Sequence, residues 1–215
     1  MLTSILVPLT ILSACAHIRA EYRGPRLHVY LFKPLTMVFI CLIAILGQAA
    51  LPFYKGMIIA GLVFSMVGDV LLMLPPDRFV AGLAAFLIAH LCYIVAFASE
   101  IEALIWWPLI PLATYGTVIY IILAPSLGKL KSPVLTYVVV ILVMAWLAWE
   151  RWSQTGQSGA LLASAGAVLF LISDTILAIN RFRWAFKPAH ALNLATYFAA
   201  QWLIASSVGT WGGYR

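Results

Sequence analysis

Two carboxylates stand where a carboxylate is expensive. Asp69 lies inside Phe64–Leu74, FSMVGDVLLML, and Asp174 inside Phe170–Ile179, FLISDTILAI. A charge at the centre of a membrane helix costs about 2.5–3.5 kcal/mol on insertion scales, so such residues face a polar interior and carry a task. Two acids that share a low-dielectric site cannot both ionise readily. One is then expected to hold a proton while the other stays charged, which is the division of labour of an acid/base pair. The other five acids, Glu21, Asp77, Glu100, Glu102 and Glu150, fall in loops or at helix ends.

Helical periodicity sorts the remaining polar groups onto faces. Beside Asp69 run Gly61, Ser65, Gly68 and Leu72, a ridge of mostly small residues that lets a neighbouring helix approach closely. Gly82, Phe86, His90, Tyr93 and Phe97 form one stripe, and His190, Asn193, Tyr197 and Gln201 another. Ser173 precedes Asp174, and Lys33 is the nearest obvious cation for the two acids. Asp69, Asp174, Asn193 and Gln201 are the groups most costly to leave in lipid, and they are expected to point into one bundle interior, meeting across one water-accessible hollow. Each also has a plainer reading. An intramembrane aspartate can be helix glue, His90 a packed core histidine, Tyr93 and Tyr197 interhelical hydrogen-bonders, and Lys33 a snorkelling cation. No HExxH, GxSxG or Walker pattern occurs, and no His/Cys cluster has metal-ligand spacing. No metal and no cofactor are expected.

The elements that must position these groups are apolar. The 215 residues are 64% hydrophobic and 9% charged, against about 25% charged in ordinary globular chains. The apolar runs approach the ~20 residues of a spanning helix, not the alternating ~10-residue strands of an outer-membrane barrel. The expected fold is all-α: a single polytopic transmembrane domain over residues 1–215 with eight spans, near 2–17, 29–51, 54–74, 79–98, 103–124, 133–149, 159–179 and 188–208. Leu12–Cys15 looks like a lipobox, but no basic residue precedes it, so the first run reads as a helix. Cys15, Cys41 and Cys92 read as small buried hydrophobes.

Ten Lys and Arg (Arg19, Arg23, Arg26, Lys33, Arg78, Lys129, Lys131, Arg181, Arg183, Lys187) fall on one side, and three (Lys55, Arg151, Arg215) on the other. Positive residues favour the cytoplasm, which puts both termini outside in a bacterial inner membrane. The net charge of +6 is thereby explained by membrane orientation, and no nucleic-acid partner is implied. Trp106, Trp107, Trp149, Trp152 and Trp184 suit an interfacial belt. A shift of 105 residues brings Gly61 onto Gly166, Val63 onto Val168 and Asp69 onto Asp174. This suggests a parallel four-plus-four repeat with the two acids at one depth, about 8 Å from the cytoplasmic end at 1.5 Å per residue.

Lys33–Met37 (KPLTM), Phe64–Leu72 (FSMVGDVLL), the FxxxHxxY of Phe86–Tyr93, Phe170–Ala178 (FLISDTILA) and the YxxxQ of Tyr197–Gln201 resemble the YhhN-type lysoplasmalogenases. The resemblance covers most of the chain from the second span onward. It implies hydrolysis of the vinyl-ether bond of lysoplasmalogens to a fatty aldehyde and a glycerophospho-base. It also implies Asp69 and Asp174 as the catalytic pair, and the helical faces described above add Lys33, Ser65, His90, Tyr93, Ser173, Asn193, Tyr197 and Gln201 as substrate-binding or supporting residues. The partners would be a lysophospholipid substrate and membrane lipids. Protonating the β-carbon of a vinyl ether leaves an oxocarbenium ion, the kind of cation that glycosidases meet with two carboxyl groups. The alternative is a proton-coupled or lipid transporter using the same aspartates. Proline-broken helices at the acids would favour it, but the prolines of the fifth span lie near its outer end.

Overall fold

Prolines and glycines cut the apolar chain into helices. The computed structural model describes residues 2–48, 51–75 and 77–209, and among them every regular element is helical. The helices are α1 (Leu2–Arg23), α2 (Arg26–Leu46), α3 (Pro52–Met73), α4 (Phe79–Ala98), α5 (Leu109–Leu123), α6 (Lys131–Thr155), α7 (Ser158–Phe182) and α8 (Ala189–Ser206). Two short 3₁₀ turns, Ala124–Ser126 and Gly128–Leu130, join α5 to α6. Pro52 opens α3, where a missing N–H costs nothing. Gly156, at φ +61°, ends α6 in the left-handed conformation that glycine adopts freely.

Among the described residues, seven helices are long and apolar enough to cross a membrane. The one left out is α8, whose stripe of His190, Asn193, Tyr197 and Gln201 dilutes its apolar residues. Several boundaries differ from expectation. α2 stops at Leu46, and Lys55 donates to the carbonyls of Ile45 (2.6 Å) and Gly47 (2.8 Å) at that end. α5 begins only after Pro108, and α1 continues to Arg23, where the Tyr22 hydroxyl donates to the Lys187 carbonyl at 2.9 Å. α6 runs on to Thr155, which corrects the placing of Glu150 and Arg151 at a helix end. Both are buried. Glu150 accepts from Trp146 Nε1, Gln154 Nε2 and the Ile105 N–H, while Arg151 pairs with Glu100 at 2.5 Å and lies 4.2 Å over the Tyr54 ring. The 99–108 loop supplies the partners that a charged pair needs to stay inside. Arg215, counted on the outer side, lies outside the described residues.

α2, α3, α4, α6, α7 and α8 pack in a ring in that order, closing where α8 meets α2. α1 lies against α2 and α8, and α5 against α6 and α7. Glycines let the closest pairs touch. A methyl at Gly61 would fall 2.2 Å from the Tyr93 ring, and one at Gly68 would fall 2.7 Å from the Phe86 ring. The Tyr93 ring is fixed at its far end, because its hydroxyl donates to Gln201 Oε1 at 2.8 Å. Gly61→Ala is therefore expected to destabilise the protein by about 1–3 kcal/mol, the usual cost of overpacking. A lowered melting temperature in detergent would register this, and an unchanged melt would contradict the packing.

Candidate active site

Asp69 reaches its position because α3 turns Gly61, Ser65, Gly68 and Asp69 inward together. Its carboxylate is 1% exposed. Oδ1 lies 3.0 Å from Lys33 Nζ of α2, and Oδ2 accepts from the Tyr197 hydroxyl of α8 at 2.6 Å. A buried carboxylate is tolerable only with such an opposite charge and satisfied oxygens. Asp174 is held differently. The Tyr137 hydroxyl of α6 donates to its Oδ2, no cation pairs with it among the described residues, and the residue is only half-buried.

The exposed part of Asp174 faces a cavity of about 720 Å³, counted with its mouth, enclosed mainly by α4, α5, α6 and α7. Its walls are apolar: Leu83, Phe86, Ile119, Ile141 and Leu171 are typical. The polar side chains on it are Asp174, Tyr137, Thr175 and Tyr115, and the last two share a 2.7 Å hydrogen bond.

Among the described residues, the cavity that Asp174 lines does not have Asp69 in its wall. Asp69 lies behind a layer of rings: Tyr197 packs edge-on to Phe86 (5.9 Å between centroids) and Phe170 (5.5 Å). The series continues through His90, 4.7 Å from Phe170 and 5.1 Å from Tyr137. Gly68, whose missing side chain lets the Phe86 ring lie against α3, sits one residue before Asp69.

The other residues read from sequence divide into groups. Lys33, Tyr197 and Asp69 meet directly. Tyr93, Gln201 and Ser65 form a buried polar patch behind them, on the same face of α3 as Asp69. His90 is fully buried, and neither ring nitrogen has a hydrogen-bond partner. Ser173 turns to α8, donating to the Asn193 carbonyl (3.1 Å) and to its Oδ1 (3.3 Å), so Ser173 and Asn193 join helices and do not line the cavity. His190 is exposed at the start of α8. Sequence reasoning missed Tyr137, the hydroxyl that holds Asp174. The available signal was its helical spacing with Val134, Val138 and Ile141, all four of which line the cavity. Outside the membrane helices, the Arg181 guanidinium donates to Asp77 and holds that carboxyl below its ordinary range. No group of three or more His, Cys, Asp or Glu placed to hold a metal occurs among the described residues.

The arrangement offers a carboxyl open to an apolar chamber, with an ion-paired carboxylate behind a thin aromatic wall. Comparison with known proteins adds to this. The family model of the YhhN family matches residues 28–208. The uncharacterized membrane protein YhhN of Shigella flexneri is 35% identical over 201 residues, covering 92% of this chain and 95% of its own. Lysoplasmalogenase TMEM86A of Homo sapiens is 35% identical over 155 residues, covering 70% of this chain and 64% of its own. Lysoplasmalogenase TMEM86B of Homo sapiens is 36% identical over 164 residues, covering 72% and 64%. No solved structure matches the chain.

Proposed function

We propose, because this chain belongs to the YhhN family, that it is a membrane hydrolase that opens the vinyl-ether bond of lysoplasmalogens. The names of the human relatives support the activity. The observation that carries it to this chain is the carboxyl of Asp174, unpaired with any cation among the described residues and facing an apolar cavity within the helix bundle.

The chemistry follows from the two environments. Asp174 gives its proton to the β-carbon of the vinyl ether, and the electron pair of the double bond forms the new C–H bond. The ether carbon becomes an oxocarbenium ion. Asp69, kept as a carboxylate by Lys33 at 3.0 Å, opposes that positive charge across the ring layer, where a low dielectric makes a charge felt at distance. Water adds to the cation and loses a proton to the Asp174 carboxylate. The hemiacetal then breaks its bond to the glycerol oxygen, which takes a proton from Asp174 and leaves as the alcohol, while the hemiacetal hydroxyl returns its proton to Asp174 and becomes the carbonyl of the fatty aldehyde. Water is the only reagent consumed, and Asp174 ends as it began. Tyr137 fixes the Asp174 carboxyl in place, a contribution of positioning.

The test uses purified protein in liposomes with three lysolipids that differ only in the chain linkage: 1-alkenyl, 1-acyl and 1-alkyl. Aldehyde release from the alkenyl lipid alone is expected, and in heavy water the aldehyde carries one deuterium at carbon 2. Acyl cleavage, or flux of intact lipid without product, would replace the reading with an esterase or a transporter.

The same proposal extends to the architecture. Eight spans in two four-helix halves would carry α1–α4 onto α5–α8, and the packing supports this. α2, α3 and α4 follow one another around the ring as α6, α7 and α8 do, while α1 and α5 each sit outside it. An inner-membrane location with both termini outside rests on the Lys and Arg distribution.

A further inference from the structure

We infer that the cavity beside Asp174 is the seat of one hydrocarbon chain of a membrane lipid, reached sideways from the bilayer through the slot between α4 and α5. This rests on the reading above that the substrate is a single-chain lipid.

The slot follows from how α5 is attached. Gly116 lets α5 press onto Leu142 of α6, where an added methyl would come within 2.3 Å, and Tyr115 bonds to Thr175 of α7 at 2.7 Å. α4 packs on α3 and α6 and has no comparable seam with α5. Yet Phe79, Leu83 and Phe86 of α4 and Gly116, Ile119 and Leu123 of α5 bound the same cavity. Both helices also carry exposed apolar residues, Val80 and Ile88 on α4 and Val118 and Ile121 on α5, so the two helices that bound the cavity also present hydrocarbon surface to lipid.

The chemistry of the lining names the occupant. Tyr115, Tyr137, Asp174 and Thr175 are its polar side chains, and the rest of the wall is aliphatic or aromatic. A methylene chain loses nothing there that it had in lipid, whereas a phosphate group would find no cation along the walls. One end is closed by Phe79 and Phe182, packed edge to face at 5.4 Å, with Arg181 lying 4.1 Å over the Phe79 ring. Ala178, one turn beyond Asp174 on α7, lines the chamber with only a methyl group, so the space opposite it is available to a ligand. Chain selection is therefore assigned to Ala178 and Leu83, from the α7 and α4 walls.

The probe is a 1-O-alkyl lysophosphatidylethanolamine with a diazirine in its chain. It has no vinyl ether, so its binding does not depend on turnover. Irradiated with the wild-type protein in liposomes, it is expected to label cavity residues of α4, α5 and α7. Ala178→Phe and, on the facing wall, Leu83→Trp are each expected to cut that labelling by about tenfold, a cost in line with overfilling an apolar pocket. Both variants are first checked for a wild-type melt, and the one that keeps it decides. Label confined to outward positions such as Val80, Val118 and Ile121, unchanged by that variant, overturns the seat. Cavity labelling without aldehyde release from alkenyl lipid would sink the hydrolase reading and leave the seat standing. Aldehyde release with outward labelling does the reverse.

Discussion

Asp174→Asn is expected to lower kcat for aldehyde release by roughly a hundredfold to ten-thousandfold, the range lost with a general acid, and to leave KM close to its wild-type value. Asparagine keeps the shape of the side chain and an oxygen to accept from the Tyr137 hydroxyl. It has no transferable acidic proton, so the first step loses its donor while the cavity walls stay as they are. Binding through the hydrocarbon chain is common to ground and transition states and should survive, whereas proton transfer is confined to the transition state. Tyr137→Phe separates position from proton. It removes the hydroxyl that anchors Asp174 and keeps the ring that packs on His90 at 5.1 Å. A smaller fall in kcat, of about tenfold, is expected there, because a loosened acid still carries its proton. Steady-state kinetics on the alkenyl lysolipid check both. A kcat within about threefold of wild type for Asp174→Asn would remove Asp174 as the proton donor.

Much of this site was legible because lipid makes polar residues conspicuous. Asp69, Asp174 and Lys33 stand out by what they cost in an apolar run, and the structure gives Asp69 and Lys33 a direct contact. Proline and glycine were read less fully, since Pro52 and Gly156 mark the ends of α3 and α6 where the expected spans began at 54 and stopped at 149. The aromatic wall was not legible. Phe86 and Phe170 are ordinary core residues by composition, and only the empty face at Gly68 shows why the Phe86 ring comes to rest against α3 there. Tyr137 was hidden for a related reason. Its partner lies 37 residues away on another helix, and its spacing with Val134, Val138 and Ile141 marks a shared face without naming that partner. Glu150 and Arg151 misled in the opposite direction. Adjacent charges at the end of an apolar stretch imply water, but the loop carrying Glu100 and Ile105 folds over them and satisfies both.

The second large effect concerns Lys33, and here stability and catalysis can be pulled apart. Lys33→Met leaves the Asp69 carboxylate, 1% exposed, without its 3.0 Å counter-charge. Removing one partner of a buried pair costs about 3–5 kcal/mol, because the other charge is stranded. The Tyr197 hydroxyl at 2.6 Å offsets only part of that, since one neutral hydrogen bond does not replace an ammonium. A large fall in melting temperature is therefore expected. Asp69→Asn alone should be milder, because the Lys33 side chain is 13% exposed and can turn its ammonium toward water. The double variant Lys33→Met with Asp69→Asn strands no charge and is expected to recover most of the lost stability. The coupling between the two sites is then read from the double-mutant cycle. Activity should not return with the fold. Without the Asp69 carboxylate nothing behind the ring wall opposes the oxocarbenium charge, so the stable double variant should remain at least about a hundredfold slow, the scale of losing one preorganised electrostatic group. If that variant melts like wild type and also turns over like wild type, Asp69 and Lys33 hold helices together and take no part in the reaction.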